Sequence, residues 1–324
     1  MELPKKPTGA SIGPSQASPW PPTWQLGIWG ATKANFGAAM GARISQPTVH
    51  GNSADPHDLL RRAKIALDSN RPQEAQRIAE RILKSDPRRA QALHILGCAL
   101  LMQDRAADAI EPLEDAARTL RDPETDTLFA IALRRIGRNE DALSRLKRAT
   151  KRRPPFGAAF HELGFVLFSM ERYHEAIEVL SRSQELLPMM PELSILLGNV
   201  FLECRNFPNA KISFARALNI SPNSLDAMYG LAVAHWRLCE HQAAANLFRH
   251  CLMRKPDDVS TLLGLGHCLL ELGQRDAGYD CFRKVARGHS NRYGSALAAL
   301  VNSGRSRFWL KPSAAARFLR GTKG

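Results

Sequence analysis

The residues best equipped for chemistry crowd one late stretch of the chain: His235, Cys239, His241, His250, Cys251, His267, Cys268 and Cys281. A histidine and a cysteine four apart, as at 235 and 239, share one helix face, the arrangement in which two side chains reach one zinc ion. No pair has the spacing of a zinc knuckle, and none of the six cysteines sits in a CxxC motif. A thiol also serves as a small apolar side chain between tightly packed helices. The pattern therefore implies packing, and no metal is expected. Signatures of catalysis are equally lacking, with no phosphate-binding loop, no GxSxG elbow and no HExxH helix. Gly264-Leu265-Gly266 falls inside an apolar helical run and marks close packing instead of a nucleotide loop. The sequence reads as non-enzymatic, with no cofactor and no small-molecule substrate.

Charge comes next, because the chain of 324 residues has a formal net charge of +14. It is placed at the ends. No acid occurs between Leu3 and Ala54, and none follows Asp280, whereas Arg305, Arg307, Lys311, Arg317, Arg320 and Lys323 crowd the last stretch together with Phe308, Trp309 and Phe318. Cations interleaved with aromatic rings suit an anionic membrane surface or nucleic-acid phosphates, with Trp309 inserting or stacking, and equally suit docking onto the chain's own last helices. The run Lys147, Arg148, Lys151, Arg152 and Arg153 ends a helix, where cations meet the dipole favourably, and needs no further reading. The central body is close to charge balance, so it is not expected to follow a polyanion.

Residues 1–54 are rich in Pro, Gly, Ser and Ala and form a leader without regular apolar spacing. Leu26 to Ala42 is about the length of a minimal span but is interrupted by Lys33 and Asn35, so no membrane helix is expected there. The leader reads as disordered, or as sequence ahead of a later start at Met40, with a transit or secretion address as the other reading. Cysteines without a disulfide framework fit a reducing, cytoplasmic compartment.

From Asp55 onward apolar residues recur at helical spacing, and the helices themselves repeat. Pro154, Pro188, Pro222 and Pro256 are each 34 residues apart, and Pro87 lies 67 before Pro154. Small residues recur with them at Gly97, Ala130, Gly164, Gly198, Ala232 and Gly266, each preceded by Leu or Phe. A second set, Ala75, Ala109, Ala142, Ala176, Ala210 and Ala244, is followed four residues later by Ala79, Leu113, Leu146, Leu180, Phe214 and Phe248. Small residues where helices cross let backbones approach, bulky ones fill the holes beside them, and proline ends the second helix. Several chemically distinct positions recurring together define a repeat.

This pattern resembles the tetratricopeptide repeat, most closely in FHELGFVLFSMERYHEAIEVLSRSQELLP (160–188), and the resemblance runs over 56–292. It implies an all-α, right-handed superhelical solenoid of about seven helix-turn-helix units over 55–292. Residues 293–302 would then form a capping helix, and the basic tail would complete a third segment, 293–324. Departures fall at repeat one, with Ala79 where a large residue is usual; at repeat two, a residue short; and at repeat seven, with Gly278 and Ser290 for Ala and Pro. Atypical terminal repeats are expected of a capped array.

In the family the first helices line a concave groove that holds a segment of another protein. By resemblance the exposed groove positions here are His94, Cys98, Arg134, Arg135, His161, Phe165, Phe168, Asn199, Tyr229, Val233, Trp236, Arg237 and His267. The two-Lys, two-Asn, one-Arg clamp that grips a terminal carboxylate in chaperone-tail binders is not present in repeats two to four, and Asn199 alone matches it. The groove offers rings instead. Phe165 and Phe168 either meet a partner or pack between adjacent helices; Tyr229 and Trp236, with Arg237 beside them, have the chemistry of a binding hot spot. The expected function is a protein-interaction scaffold or chaperone-like adaptor, with Phe165, Phe168, Asn199, Tyr229, Trp236, Arg237 and His267 contacting the partner. The alternatives are recruitment through the tail to an anionic surface, and a non-catalytic subunit of a secretion or modification system. Small bacterial secretion chaperones of the family are the natural comparison.

Overall fold

The structure, a computed structural model, describes residues 55–288. The leader, the proposed capping helix and the basic tail from Arg305 to Arg320 lie outside the described residues. Among the described residues there are fourteen α-helices and no strand. They pair as seven repeats: α1 (Pro56–Asp68) with α2 (Pro72–Ser85), α3 (Ala90–Met102) with α4 (Ala106–Leu120), and α5 (Pro123–Arg135) with α6 (Asn139–Ala149). Then come α7 (Gly157–Ser169) with α8 (Tyr173–Leu186), α9 (Pro191–Glu203) with α10 (Phe207–Ile220), α11 (Leu225–Arg237) with α12 (His241–Arg254), and α13 (Val259–Glu271) with α14 (Arg275–Gly288). The odd-numbered helices pack on one another from repeat to repeat, while no two even-numbered helices do so comparably. Of two stacked rows, the one with closer spacing lies inside the curve. The first helices therefore form the inner row of a superhelical solenoid.

The repeat's small-large pairing is a physical lock. A Cβ built on Gly97, Gly164, Gly198 or Gly266 would stand 2.3–2.7 Å from a side chain sixteen residues later, respectively that of Leu113, Leu180, Phe214 or Phe282. The same large side chains also meet the next repeat, since a Cβ at Gly230 would lie 2.3 Å from Phe214 and one at Gly264 2.6 Å from Phe248. Phe214 thus joins its own first helix to the following one. Gly278, in place of the usual Ala, lets α14 approach until a Cβ would sit 3.0 Å from the Gly266 carbonyl oxygen.

Every turn within a repeat passes through a left-handed residue: Asn70, Asp104, Gly137, Glu171, Arg205, Cys239 and Gly273, with φ between 56° and 83°. They are 34 apart, except for 33 between Asp104 and Gly137, which places the missing residue between these two turns. There α4 ends on a further left-handed residue, Arg121, and Asp122 immediately caps α5 through the Thr125 amide at 2.8 Å. At each periodic turn the following amide reaches back to the carbonyl five residues earlier, as Arg172 does to Leu167 at 2.9 Å. This is the Schellman closure, which glycine favours. Glu171, Arg205 and Cys239 carry a Cβ where glycine would be unstrained. Replacing each by Gly is expected to stabilise the array by about 0.5–1 kcal/mol per site, read as additive upward shifts in chemical-denaturation midpoint.

One helix end corrects an expectation. Arg148 and Arg152 do more than meet a helix dipole, because both guanidinium groups reach the fully buried Asp126, at 2.7 and 3.3 Å, with Arg145 3.6 Å away. At the first repeat, the positions that bury Ala92, Ile95 and Ala99 in the second are Asp58, Arg61 and Ile65, the last 49% exposed. Among the described residues no repeat precedes this edge, and its polar residues suit a terminal repeat.

Candidate protein-interaction surface

On the inner row, burial divides the array. In repeats two and three the positions facing inward are closed: Cys98, Leu101, Thr127 and Ile131 are buried. In repeats four to seven the column of Cys98 and Ile131 is half-buried at Phe165, Asn199, Val233 and His267; the column of Leu101 is half-buried from Arg134 through Phe168, Leu202 and Trp236 and closes again at Leu270, and Tyr229 is half-buried one turn earlier. Two of the expected groove residues are corrected by this. Cys98 is fully buried and His161 is 3% exposed. His94 turns toward repeat three, its Nδ1 2.8 Å from the Thr125 hydroxyl, and burial lowers its pKa.

The surface has two centres. At the junction of repeats three and four, Arg134 lies over the Phe165 ring, 4.4 Å from its centroid, and its Nε–H donates to Glu162 Oε2 at 3.3 Å. Glu162 is buried at a position where repeats two, three, five, six and seven carry Ile95, Leu128, Leu196, Gly230 and Gly264. Burial alone would raise its carboxyl pKa, but Arg134 foremost, then His161 and Arg135, outweigh burial and hold it below the usual carboxylate range. Arg135 donates to the Leu101 carbonyl at 2.7 Å and lies 3.7 Å from Asp104, tying repeat three to repeat two. Phe168 packs on Tyr173, with centroids 5.9 Å apart.

The second centre spans repeats six and seven. Trp236 stacks on His267 with centroids 5.6 Å apart and an 18° interplanar angle, and His267 meets the edge of Phe282 at 5.3 Å. Arg237 covers Trp236, 4.9 Å from the ring, and is itself exposed. Tyr229 leans on the buried Phe248 at 5.9 Å, and burial raises its phenol pKa. Burial lowers the His267 pKa, so the imidazole in the stack is neutral at neutral pH. Tyr229, Val233 and Trp236 rest on a core that contains Phe248, Leu265 and Cys268. Their inner edges belong to the fold and their outer edges face the groove. Asn199 sits in the repeat between the centres. His235 is taken up by Glu240, which also accepts from Lys211 at 2.8 Å and so joins repeats five and six.

Of the late cysteines, Cys251, Cys268 and Cys281 are buried in the packing role, whereas Cys239 is exposed in a turn. Burial raises the pKa of Cys98 and Cys281, takes Cys251 to about 11 and takes Cys268 to about 12, so these thiols stay protonated. Among the described residues, no three His, Cys, Asp or Glu side chains are grouped to hold a metal, and no helix is long and apolar enough to cross a membrane.

Antiparallel helix pairs stacked at one period, with an inner row that opens a strip of rings, define a helical-repeat interaction protein. The tetratricopeptide-repeat model matches residues 60–124, 127–191 and 195–258, more than half of the chain, which therefore belongs to the tetratricopeptide-repeat family. Among characterised proteins, the chain is 41% identical over 59 residues (18% of this chain) to small glutamine-rich tetratricopeptide repeat-containing protein 2 of Mycosarcoma maydis, and 28% identical over 102 residues (31%) to cell division cycle protein 27 homolog A of Arabidopsis thaliana. The matched stretches span only 17% and 14% of those relatives. Similar folds are those of Pseudomonas aeruginosa PilF (TM-score 0.58, 17% identity, covering 64% of this chain and 94% of PilF) and a chain of the APC/C hetero-tetramer Cut9-Hcn1 (0.58, 16%, 82% and 48%). At these identities the likeness concerns the fold alone. Proteins of the family generally mediate protein–protein interactions and are generally non-catalytic.

Proposed function

We propose that this chain is an interaction scaffold that holds an extended or helical segment of a partner protein against the first helices of repeats four to seven. The supporting observation is the contrast along the inner row. The inward positions are closed by Cys98, Leu101 and Ile131 in the early repeats, whereas from Arg134 through Phe165, Phe168, Asn199 and Trp236 to His267 they are half-buried, up to the buried Leu270. Half-buried aromatics braced from behind present apolar area with little rotamer entropy left to lose, which favours hot-spot contacts. Arg237 over Trp236, and Arg134 over Phe165, add two fixed cations beside the rings. The role is that of an adaptor, with apolar anchors from the partner entering beside Trp236 and Phe168.

Affinity capture from native extract at low and high salt, with the unaltered chain and with Trp236→Ala, tests this. A partner retained at high salt should lose roughly tenfold or more in affinity with Trp236→Ala, the scale of a hot-spot truncation of about 2 kcal/mol. Far-ultraviolet circular dichroism and the melting temperature are followed in parallel. A partner that ignores Trp236→Ala, or a variant that unfolds, overturns the assignment and makes the ring part of the core.

A further inference from the structure

The inner row of the last repeats has a charge opposite to that of the chain. The first helices of repeats five to seven, α9, α11 and α13, carry Glu192, Glu203, Asp226 and Glu271 against a single Arg237. Asp258 caps α13 close enough to act on Tyr229. The second helices of the same repeats are basic, with Lys211 and Arg216 on α10 and Arg249 and Arg254 on α12. In a chain of net charge +14, the ring-lined surface is thus the acidic one.

A segment that fits such a surface is basic and aromatic. Residues 304–324, GRSRFWLKPSAAARFLRGTKG, contain no acid and set Phe308, Trp309 and Phe318 among their cations. They begin sixteen residues after Gly288, the end of α14, a tether of up to about 50 Å when extended. Successive first helices pack roughly 10 Å apart, so the row from α13 back to α9 lies within reach. Residues 1–54 also hold tryptophans but join the array at repeat one and carry fewer cations.

We propose that the chain's own residues 304–324 dock on the acidic inner face of repeats five to seven, their aromatics against Trp236 and Tyr229 and their cations against Asp226, Glu203 and Glu192, and so compete with a partner. The proposal rests on the groove reading above and names a resident occupant for it. A tether of this length gives the tail an effective concentration near millimolar, enough to suppress a second peptide of the same sequence.

A fluorescein-labelled synthetic peptide of residues 304–324, titrated by anisotropy against the full-length protein, tests the proposal. The unaltered chain should bind it weakly, because its own tail holds the site. Phe308→Ala/Trp309→Ala in the full-length chain should raise affinity for the added peptide at least about tenfold. Adding Trp236→Ala, or Asp226→Asn with Glu203→Gln, should remove that gain. Glu203 is exposed and Asp226 half-buried, and these near-isosteric substitutions should shift the melting temperature little, so they stay informative even where Trp236→Ala weakens the fold. Equal affinity for the unaltered and tail-altered chains, equal binding of a scrambled peptide, a gain that survives the acid substitutions, or preferential binding of a peptide from residues 1–54 each overturns the proposal. If the tail peptide fails while Trp236→Ala still abolishes a salt-resistant partner, the tail proposal falls and the scaffold reading stands. If the peptide binds at Trp236 and no partner depends on that ring, the reverse holds.

Discussion

Truncating Phe214 to alanine should cost about 4 kcal/mol and split the unfolding of the array into two steps. The side chain is fully buried on α10, and its ring fills the space that absent Cβ atoms leave at Gly198 in its own repeat and Gly230 in the next. Removing a buried Phe leaves a cavity that helices fixed on both sides cannot collapse to fill, so the upper part of the usual range of about 3–5 kcal/mol applies. The second consequence follows from one-dimensional coupling. Each repeat touches only its neighbours, and a weakened interface divides a solenoid into blocks that unfold separately. Chemical denaturation of the unaltered chain should give one transition, and Phe214→Ala should give two, with the block of repeats six and seven melting first. Ile212→Ala is the control on the same helix: that side chain is 65% exposed, and its loss should change stability by less than about 0.5 kcal/mol. The converse substitution, Gly230→Ala, puts a methyl group 2.3 Å from the Phe214 ring and should cost about 1–3 kcal/mol through overpacking. A single transition in Phe214→Ala, or a loss below about 1 kcal/mol, would place the coupling between repeats five and six elsewhere.

The lock around Phe214 was legible in the sequence, because small and large residues recur together at fixed offsets and only a stack of helix pairs explains that recurrence. The seven repeats, their order and their first and second helices follow from the same period. Burial on the inner row did not follow. Cys98 and His161 occupy the register of a groove residue, yet how deeply each sinks depends on the side chains the adjacent repeats bring against it. Glu162 and Asp126 could have been found, since each stands where other repeats place apolar residues, Leu196 for the first and Leu93 or Leu262 for the second. A charge in an apolar column requires a counter-charge nearby, and the run Arg148 to Arg152 was the visible candidate for Asp126. The left-handed turns were hidden for another reason. Glu171, Arg205 and Cys239 have no local preference for that conformation; it is imposed by packing two helices of fixed length across a tight connection.

Replacing Arg134 by methionine should destabilise the protein by about 3 kcal/mol at neutral pH, and the loss should shrink as the solution is acidified. Glu162 is almost wholly buried and owes its charge chiefly to Arg134, whose side chain is 21% exposed. Removing the cation strands a buried carboxylate, and one-sided removal from such pairs costs about 3–5 kcal/mol; the exposure of Arg134 argues for the lower end. The pH dependence has a definite sign. In the folded protein Glu162 loses its proton more readily than in the unfolded chain. Its stabilising contribution is therefore complete above the unfolded value of about 4.3 and disappears as pH falls through the lower folded value. Without Arg134 that contribution is gone, so the difference between the two proteins is largest near pH 7 and closes at acid pH. Denaturation midpoints measured at several pH values from about 7 down to about 3, below the unfolded carboxyl value, check this. The double substitution Arg134→Met/Glu162→Leu should recover most of the loss, because leucine is what repeats three and five carry in that column and a buried pair replaced whole by apolar groups is often neutral. If the double variant is as stable as the unaltered chain yet binds its partner more weakly, the pair serves to hold the guanidinium over Phe165 at the groove. If it is as unstable as Arg134→Met, the pair is a structural joint between repeats three and four.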